Sequence, residues 1–236
     1  MLFILFLLQY KLNYSPLKET LYHDFYKNLR HYKVFTDSLK KSTITNERKE
    51  LLFSIAAKIA EEYLDREKIN LNFICTHNSR RSQFAQIWAF FAAEYYELEN
   101  IHAYSGGTAV TAFHKNTVKA LQQSGFNFNI IDFSHQNPKY LISFSKTKKH
   151  SLGFSKLFDD ANNPYPYIAI TTCNSADENC PFIPDAIDRF HLPYVDPKIS
   201  DNTASQADKY LETSQEIATE IGFLFSEIKR IIEAAD

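Results

Sequence analysis

Cys75-Thr76-His77-Asn78-Ser79-Arg80-Arg81-Ser82 is the stretch whose residue types and spacing could do chemistry. Five residues separate a cysteine from an arginine. An apolar, strand-like run from Leu71 to Ile74 leads in, and a helical pattern leads out. A loop between a strand and a helix wraps its backbone N–H groups around a tetrahedral oxyanion, and the helix N-terminus adds positive potential. The same field favours the thiolate of a cysteine at the start of the loop and makes it a nucleophile. Arg81 carries the planar fork that clamps two oxyanion oxygens. Ser82 is placed to donate a hydrogen bond to the thiolate. This is chemistry on phosphate, or on something of the same shape. The plainer alternative is a buried structural cysteine at a strand end.

The remaining two cysteines lie together in Cys173-Asn174-Ser175-Ala176-Asp177-Glu178-Asn179-Cys180-Pro181. Cys173 ends an apolar strand-like run and Cys180 falls in the loop after it. The pair reads as inert thiols, as a metal site, or as a redox relay in which one thiol passes a disulfide to another. Six intervening residues are more than structural zinc usually takes, and no second pair exists. Asp196-Pro197 follows the apolar run Leu192-Pro193-Tyr194-Val195. A carboxylic acid on a rigid loop facing an oxyanion cradle could protonate a leaving oxygen.

The elements that must position these residues alternate from residue 70 onward. Leu71–Ile74 reads as a strand, and Phe84, Ile87, Trp88, Phe91, Ala92 and Tyr95 follow at helical spacing. Ile101–Ser105 reads as a second strand, stopped by Gly106-Gly107. A helix through Val118 and Leu121 ends at Gly125, Tyr167–Thr171 is another strand, and a long helix carries Ile217, Ile221, Leu224, Phe225 and Ile228. Alternation of this kind implies a parallel sheet covered on both faces, with ligands at the carboxyl ends of the strands. Residues 133–166 interrupt it and read as an inserted hairpin, with strands near 140–144 and 152–154. Residues 1–68 read as a mostly helical extension on a catalytic domain of 69–236. In the extension Leu21, Phe25 and Leu29 recur every fourth residue, and a second helix is capped by Thr45 or Asn46.

Composition narrows the function classes. The chain has 236 residues and a net charge of −2, which gives no reason to expect a nucleic-acid or membrane surface. Three cysteines are too few and too odd a number for a secreted disulfide scaffold, so a reducing, cytoplasmic setting is expected. The apolar start, Met1 to Leu8, is too short to span a bilayer and lacks a basic segment before it.

Together these segments resemble the low-molecular-weight tyrosine phosphatase superfamily and, more closely, the thioredoxin-coupled arsenate reductases built on that fold. The resemblance rests on Cys75 through Gln83, Tyr104-Ser105-Gly106-Gly107-Thr108, Thr172-Cys173 through Cys180-Pro181, and Asp196-Pro197. It implies a four-stranded parallel sheet flanked by helices. It also implies that Cys75 attacks the oxyanion, that Thr76, His77, Asn78, Ser79, Arg80, Arg81 and Ser82 form the cradle, and that Asp196 is the acid. Cys173 and Cys180 would then carry a disulfide relay to a thioredoxin-like reductant, with arsenate as substrate and no bound cofactor or metal. Without the relay, the same cradle implies a phosphatase acting on phosphotyrosine or a small phosphomonoester through a cysteinyl phosphate. A non-catalytic oxyanion-binding module is the third reading. Three departures stand out: His77 where the family usually has glycine, Arg80 where a neutral residue or cysteine is common, and Gln86 where a glutamate often serves a potassium site. No potassium binding is therefore expected.

Overall fold

The computed structural model describes residues 44–66, 68–144, 147–179, 183–184 and 186–235, together with Phe35 and Asp37. The Leu21–Phe25–Leu29 repeat, the apolar start and Cys180 lie outside the described residues. The elements run α1 (Asn46–Arg66), β1 (Ile69–Cys75), α2 (Arg81–Tyr95), β2 (Ile101–Gly107), α3 (Lys115–Gln123) and β3 (Asn127–Asp132). They continue with β4 (Lys139–Ser143), β5 (Ser151–Gly153), β6 (Tyr167–Thr171), α4 (Asn174–Asn179), β7 (Ala186–His191), a 3₁₀ turn (Pro197–Ser200) and α5 (Gln206–Ala235). No helix among the described residues is long and apolar enough to cross a membrane.

Four strands form a parallel sheet in the order β2-β1-β6-β7. Every residue of β1 is buried, as a strand with neighbours on both edges and helices on both faces requires. The main core forms where α2 lays Phe84, Ile87, Trp88 and Phe91 against the sheet and α5 adds Ile217, Ile221, Leu224 and Phe225. Trp88 satisfies its indole N–H by donating to Ser214 Oγ at 3.0 Å. Thr45 caps α1, accepting from Arg48 N at 3.3 Å. Arg48 then forms a two-pronged pair with Glu220 of α5, with both contacts at 2.8 Å, and donates to Pro193 O at 3.0 Å. That arginine braces the segment that carries Asp196.

Several sequence expectations need correction. The insertion is a three-stranded antiparallel sheet, β3-β4-β5, rather than a hairpin. Its first strand begins at Asn127, before the polar stretch, and its residues are mostly exposed, so no apolar run marks it. The fourth parallel strand, Ala186–His191, is half-buried throughout and gives no clean hydrophobic signal either. Gly106 and Gly107 do not stop β2; they belong to it. Their lack of a side chain serves close approach: a Cβ on Gly107 would lie 2.8 Å from Asn78 N and from Thr76 O. The glycine lets the loop after β1 press onto the neighbouring strand.

Candidate active site

The loop from Cys75 to Arg80 joins the end of β1 to the start of α2, so the helix axis points its N-terminus at the loop. The carbonyl oxygens of the loop are all taken. Cys75 O accepts from Thr108 N at 3.2 Å, Thr76 O from Ala109 N at 2.8 Å, and Ser79 O from His114 N at 3.0 Å. His77 O accepts from Ser155 Oγ at 2.8 Å and Thr111 Oγ1 at 3.2 Å, and Asn78 O from Gln83 Nε2 at 3.0 Å. The N–H groups of residues 77–80 have no such partner among the described residues. Nor does any side chain cap α2. A backbone with its acceptors turned out and satisfied, and its donors free, is a cradle for an anion.

The unusual backbone angle falls on Asn78, with φ 44°, and not on His77. Asparagine tolerates the left-handed region better than most residues. Its side chain, fully buried, explains why it is there. Asn78 Nδ2 donates to Ser82 Oγ at 2.9 Å and to Ser105 Oγ at 2.8 Å, while Oδ1 accepts from Lys156 N at 3.0 Å. Ser82 Oγ lies 3.0 Å from Cys75 Sγ. Because that oxygen already accepts from Asn78, its own hydrogen is available to the sulfur. Ser105 Oγ donates in turn to Gln86 Oε1, and Gln86 Nε2 donates to Ser151 Oγ at 2.8 Å and Leu152 O at 3.0 Å. Cys75 thus ends a buried polar chain that runs into the inserted sheet. The sequence carries Asn78 and Ser105 inside its matching segments, but nothing in their types or spacing reveals the chain that joins them.

The two arginines of the loop have different tasks. Arg81 donates from Nη2 to Asp196 Oδ2 at 2.6 Å and from Nη1 to Tyr194 O at 3.2 Å. Its Nε is buried without a hydrogen-bond partner, an orphan donor beside the cradle. Arg80 turns to structure: its Nε donates to Tyr210 Oη at 2.7 Å and its Nη2 to Asp201 Oδ2 at 3.1 Å. Tyr210 donates to Asp201 Oδ1 at 2.8 Å, and its hydroxyl lies 3.2 Å from His114 Nδ1. Burial pushes the Tyr210 hydroxyl up to about 12. The same cause, with the Arg80 charge second, pushes the His114 imidazole down. Asp196 also caps the 3₁₀ turn, accepting from Lys198 N at 3.0 Å. The Asp196 carboxylate is thus fixed from both sides, beside the arginine of the loop.

Cys173 lies on the adjacent strand's carboxyl end. Thr172 N donates to Ile74 O at 2.7 Å, and Thr76 Oγ1 lies 3.5 Å from Cys173 Sγ. Cys173 follows two residues after Thr171, the β6 residue paired with Ile74, and shares a buried cluster with Cys75. A disulfide needs Cα atoms within about 7 Å. Both thiols are buried and free. Cys173 leads into α4, whose Asp177 accepts from Thr171 Oγ1 at 2.8 Å and pairs with Arg189 and, at 3.3 Å, with His191. Of the residues singled out in the sequence, the structure brings together Cys75, the loop 76–82, Asp196 and Cys173.

The chain is similar in sequence to arsenate reductases. An arsenate reductase from Bacillus licheniformis is 27% identical over 169 residues, 72% of this chain and 99% of the relative. One from Bacillus subtilis is 29% identical over 150 residues, 64% of this chain and 87% of the relative. No protein-family model matches the chain. Among solved structures, a thioredoxin-dependent arsenate reductase from Corynebacterium glutamicum is 18% identical with a TM-score of 0.41, covering 87% of this chain and 85% of the other. A low-molecular-weight phosphotyrosine phosphatase from Vibrio cholerae is 13% identical with a TM-score of 0.43, covering 71% and 97%. The sequence relatives support a likeness to the arsenate reductases over most of the chain's length.

Proposed function

We propose that the protein is an arsenate reductase whose electrons come from a thiol reductant of the thioredoxin kind. The observation that carries this reading is Cys173, buried at the end of the strand beside Cys75 with its sulfur 3.5 Å from Thr76 Oγ1. In the first step the Cys75 thiolate attacks arsenic, and a hydroxide leaves as water with a proton from Asp196. Arg81 and the free N–H groups of the loop hold the remaining oxygens, where charge builds. The Cys173 thiolate then attacks Cys75 Sγ. The sulfur–arsenic bond breaks, its electron pair goes to arsenic, and arsenite leaves with a Cys75–Cys173 disulfide behind it. The Cys180 thiolate attacks Cys173 Sγ, returns Cys75 as a thiolate, and leaves a Cys173–Cys180 disulfide. An external dithiol reduces that bond with two electrons.

The runner-up reading is phosphomonoester hydrolysis, with phosphotyrosine among its substrates. It is favoured by the Asp196–Arg81 contact, which sets acid and clamp together with no need of a second cysteine. The experiment that separates the two follows arsenate turnover with thioredoxin and its reductase beside aryl-phosphate hydrolysis on the same preparation. Cys173→Ser and Cys180→Ser should each abolish repeated arsenate turnover while leaving the ester reaction in place. Arsenate turnover that persists in both variants contradicts the relay.

A further inference from the structure

A second cavity, of about 580 Å³, lies behind the cradle between edge strand β2, the later part of α2 and the β5 segment. None of residues 75–82 lines it. Lys156 does, although only 2% of the residue is exposed. Its ammonium sits 4.9 Å from the centroid of the Phe154 ring, and no carboxylate among the described residues lies within ion-pair distance of it. The acidic groups on the cavity wall are otherwise engaged: Lys149 meets Glu94 at 2.6 Å and Glu99 at 3.9 Å. His102, also on the wall, is held towards its neutral form by burial and by Lys68 and Lys149. Burial likewise pushes the Lys156 amine down to about 8, with distant Asp160 opposing. A buried ammonium without a counter-charge is costly, because the aromatic face replaces only part of its hydration. The rest of the wall supplies Phe90, Ile101, Ala103, Leu152 and Pro164, an apolar bed.

We infer that this cavity is a binding site for a small organic carboxylate, its anion paired with Lys156 and its hydrocarbon body on the apolar wall. Tyr104 adds a hydroxyl at the same wall. Mixed apolar lining with a few convergent polar groups is the usual makeup of a small-molecule site. The site is separate from the cradle yet shares its backbone. Lys156 N donates to Asn78 Oδ1, and Lys156 O accepts from Gly107 N at 2.9 Å.

Sodium benzoate serves as the probe, since its flat carboxylate is a poor match for a tetrahedral cradle. Labelling the lysine ε-carbons with carbon-13 lets NMR read the protonation of Lys156, and Lys156→Met identifies its signal. Benzoate should raise the titration midpoint of Lys156 saturably, by about one unit or more. Sodium chloride at equal ionic strength should not. Benzoate affinity, read from the amide shifts of Ala103 and Leu152, should fall at least about tenfold in Lys156→Met. Ala103→Trp fills the cavity without changing any charge and should abolish binding. A midpoint unmoved by benzoate, a shift that chloride reproduces, or unchanged affinity in either variant overturns the inference.

Discussion

The cradle around Cys75 and the segment after Cys173 are held by different kinds of contact. Asn78, Ser82, Ser105 and Gln86 form a neutral network with essentially no exposure. Buried hydrogen bonds of this kind are rigid, because breaking one leaves an unpaired group in a low dielectric. Among its described residues, helix α4 buries only Ala176, in a cluster with Ile74 and Tyr167, and its polar contacts include Asp177 with Arg189 and His191, side chains 26–32% exposed. Ion pairs at that exposure are screened and weak. The difference suits the proposed chemistry. An oxyanion site gains from fixed geometry, whereas a relay cysteine must travel, and α4 leads directly towards Cys180.

The largest expected effect comes from Asp196, the proposed acid. Asp196→Asn keeps the shape and the 3₁₀ cap but removes the proton. Hydrolysis of an aryl phosphate with a poor leaving group should fall by about 10²–10⁴-fold. The loss should shrink for nitrophenyl phosphate, whose leaving group needs less protonation. Equal losses for both esters would assign Asp196 a structural role only.

Next comes the network itself. Asn78→Ala removes three side-chain hydrogen bonds and leaves alanine at a positive φ. A stability loss of about 2–4 kcal/mol is expected in urea unfolding. Misplacement of the loop should lower turnover by about 10²-fold as well. A variant with normal stability and activity would break the comparison, because the cradle would then owe little to its buried chain.

On the other side, Asp177→Asn should cost less than about 1 kcal/mol and leave aryl-phosphate hydrolysis unchanged. Amide hydrogen exchange across residues 174–179 should quicken while the loop at 76–80 stays as it was. A loss as large as that of Asn78→Ala would show α4 to be as firmly built as the cradle.

The smallest effect concerns His114, which caps α3 by accepting from Asn116 N at 3.3 Å and meets Tyr210. Its folded-state imidazole is pushed below the ordinary value. The unfolded chain therefore takes up a proton first as pH falls through about 6.5. Stability contributed by the neutral ring is fully present above that pH and is lost as pH drops towards the folded-state value. The thermal midpoint should decline between pH 7 and 5, and His114→Asn, which keeps a capping oxygen, should flatten the decline. An identical slope in the variant assigns the acid sensitivity to other groups.

The parts legible in the sequence are those where one local signal sufficed. The Cys-to-Arg spacing, the buried run of β1 and the helical stripes of α2 and α5 each state their element within a few residues. What stayed hidden depends on partners far along the chain or on mixed burial. β3 and β7 lack apolar runs because their residues are mostly exposed or half-buried. Gly106-Gly107 resembles a break until the loop pressing on it is seen. Arg80 reads as a phosphate ligand until Asp201 and Tyr210, more than a hundred positions away, take its guanidinium. Likewise His77 draws attention as a misplaced glycine, while the strained angle sits one residue later on Asn78.

The central claim, that Cys173 resolves the arsenic adduct on Cys75, is tested most directly by one turnover without the last thiol. Reduced Cys180→Ser protein is mixed with arsenate in the absence of thioredoxin, quenched with acid and alkylating reagent, and mapped by peptide mass spectrometry. The account predicts a Cys75–Cys173 disulfide, two Daltons lighter than the reduced peptides, with about one arsenite per chain. Arsenate left intact with Cys75 and Cys173 both alkylated contradicts it and gives the phosphatase reading the lead.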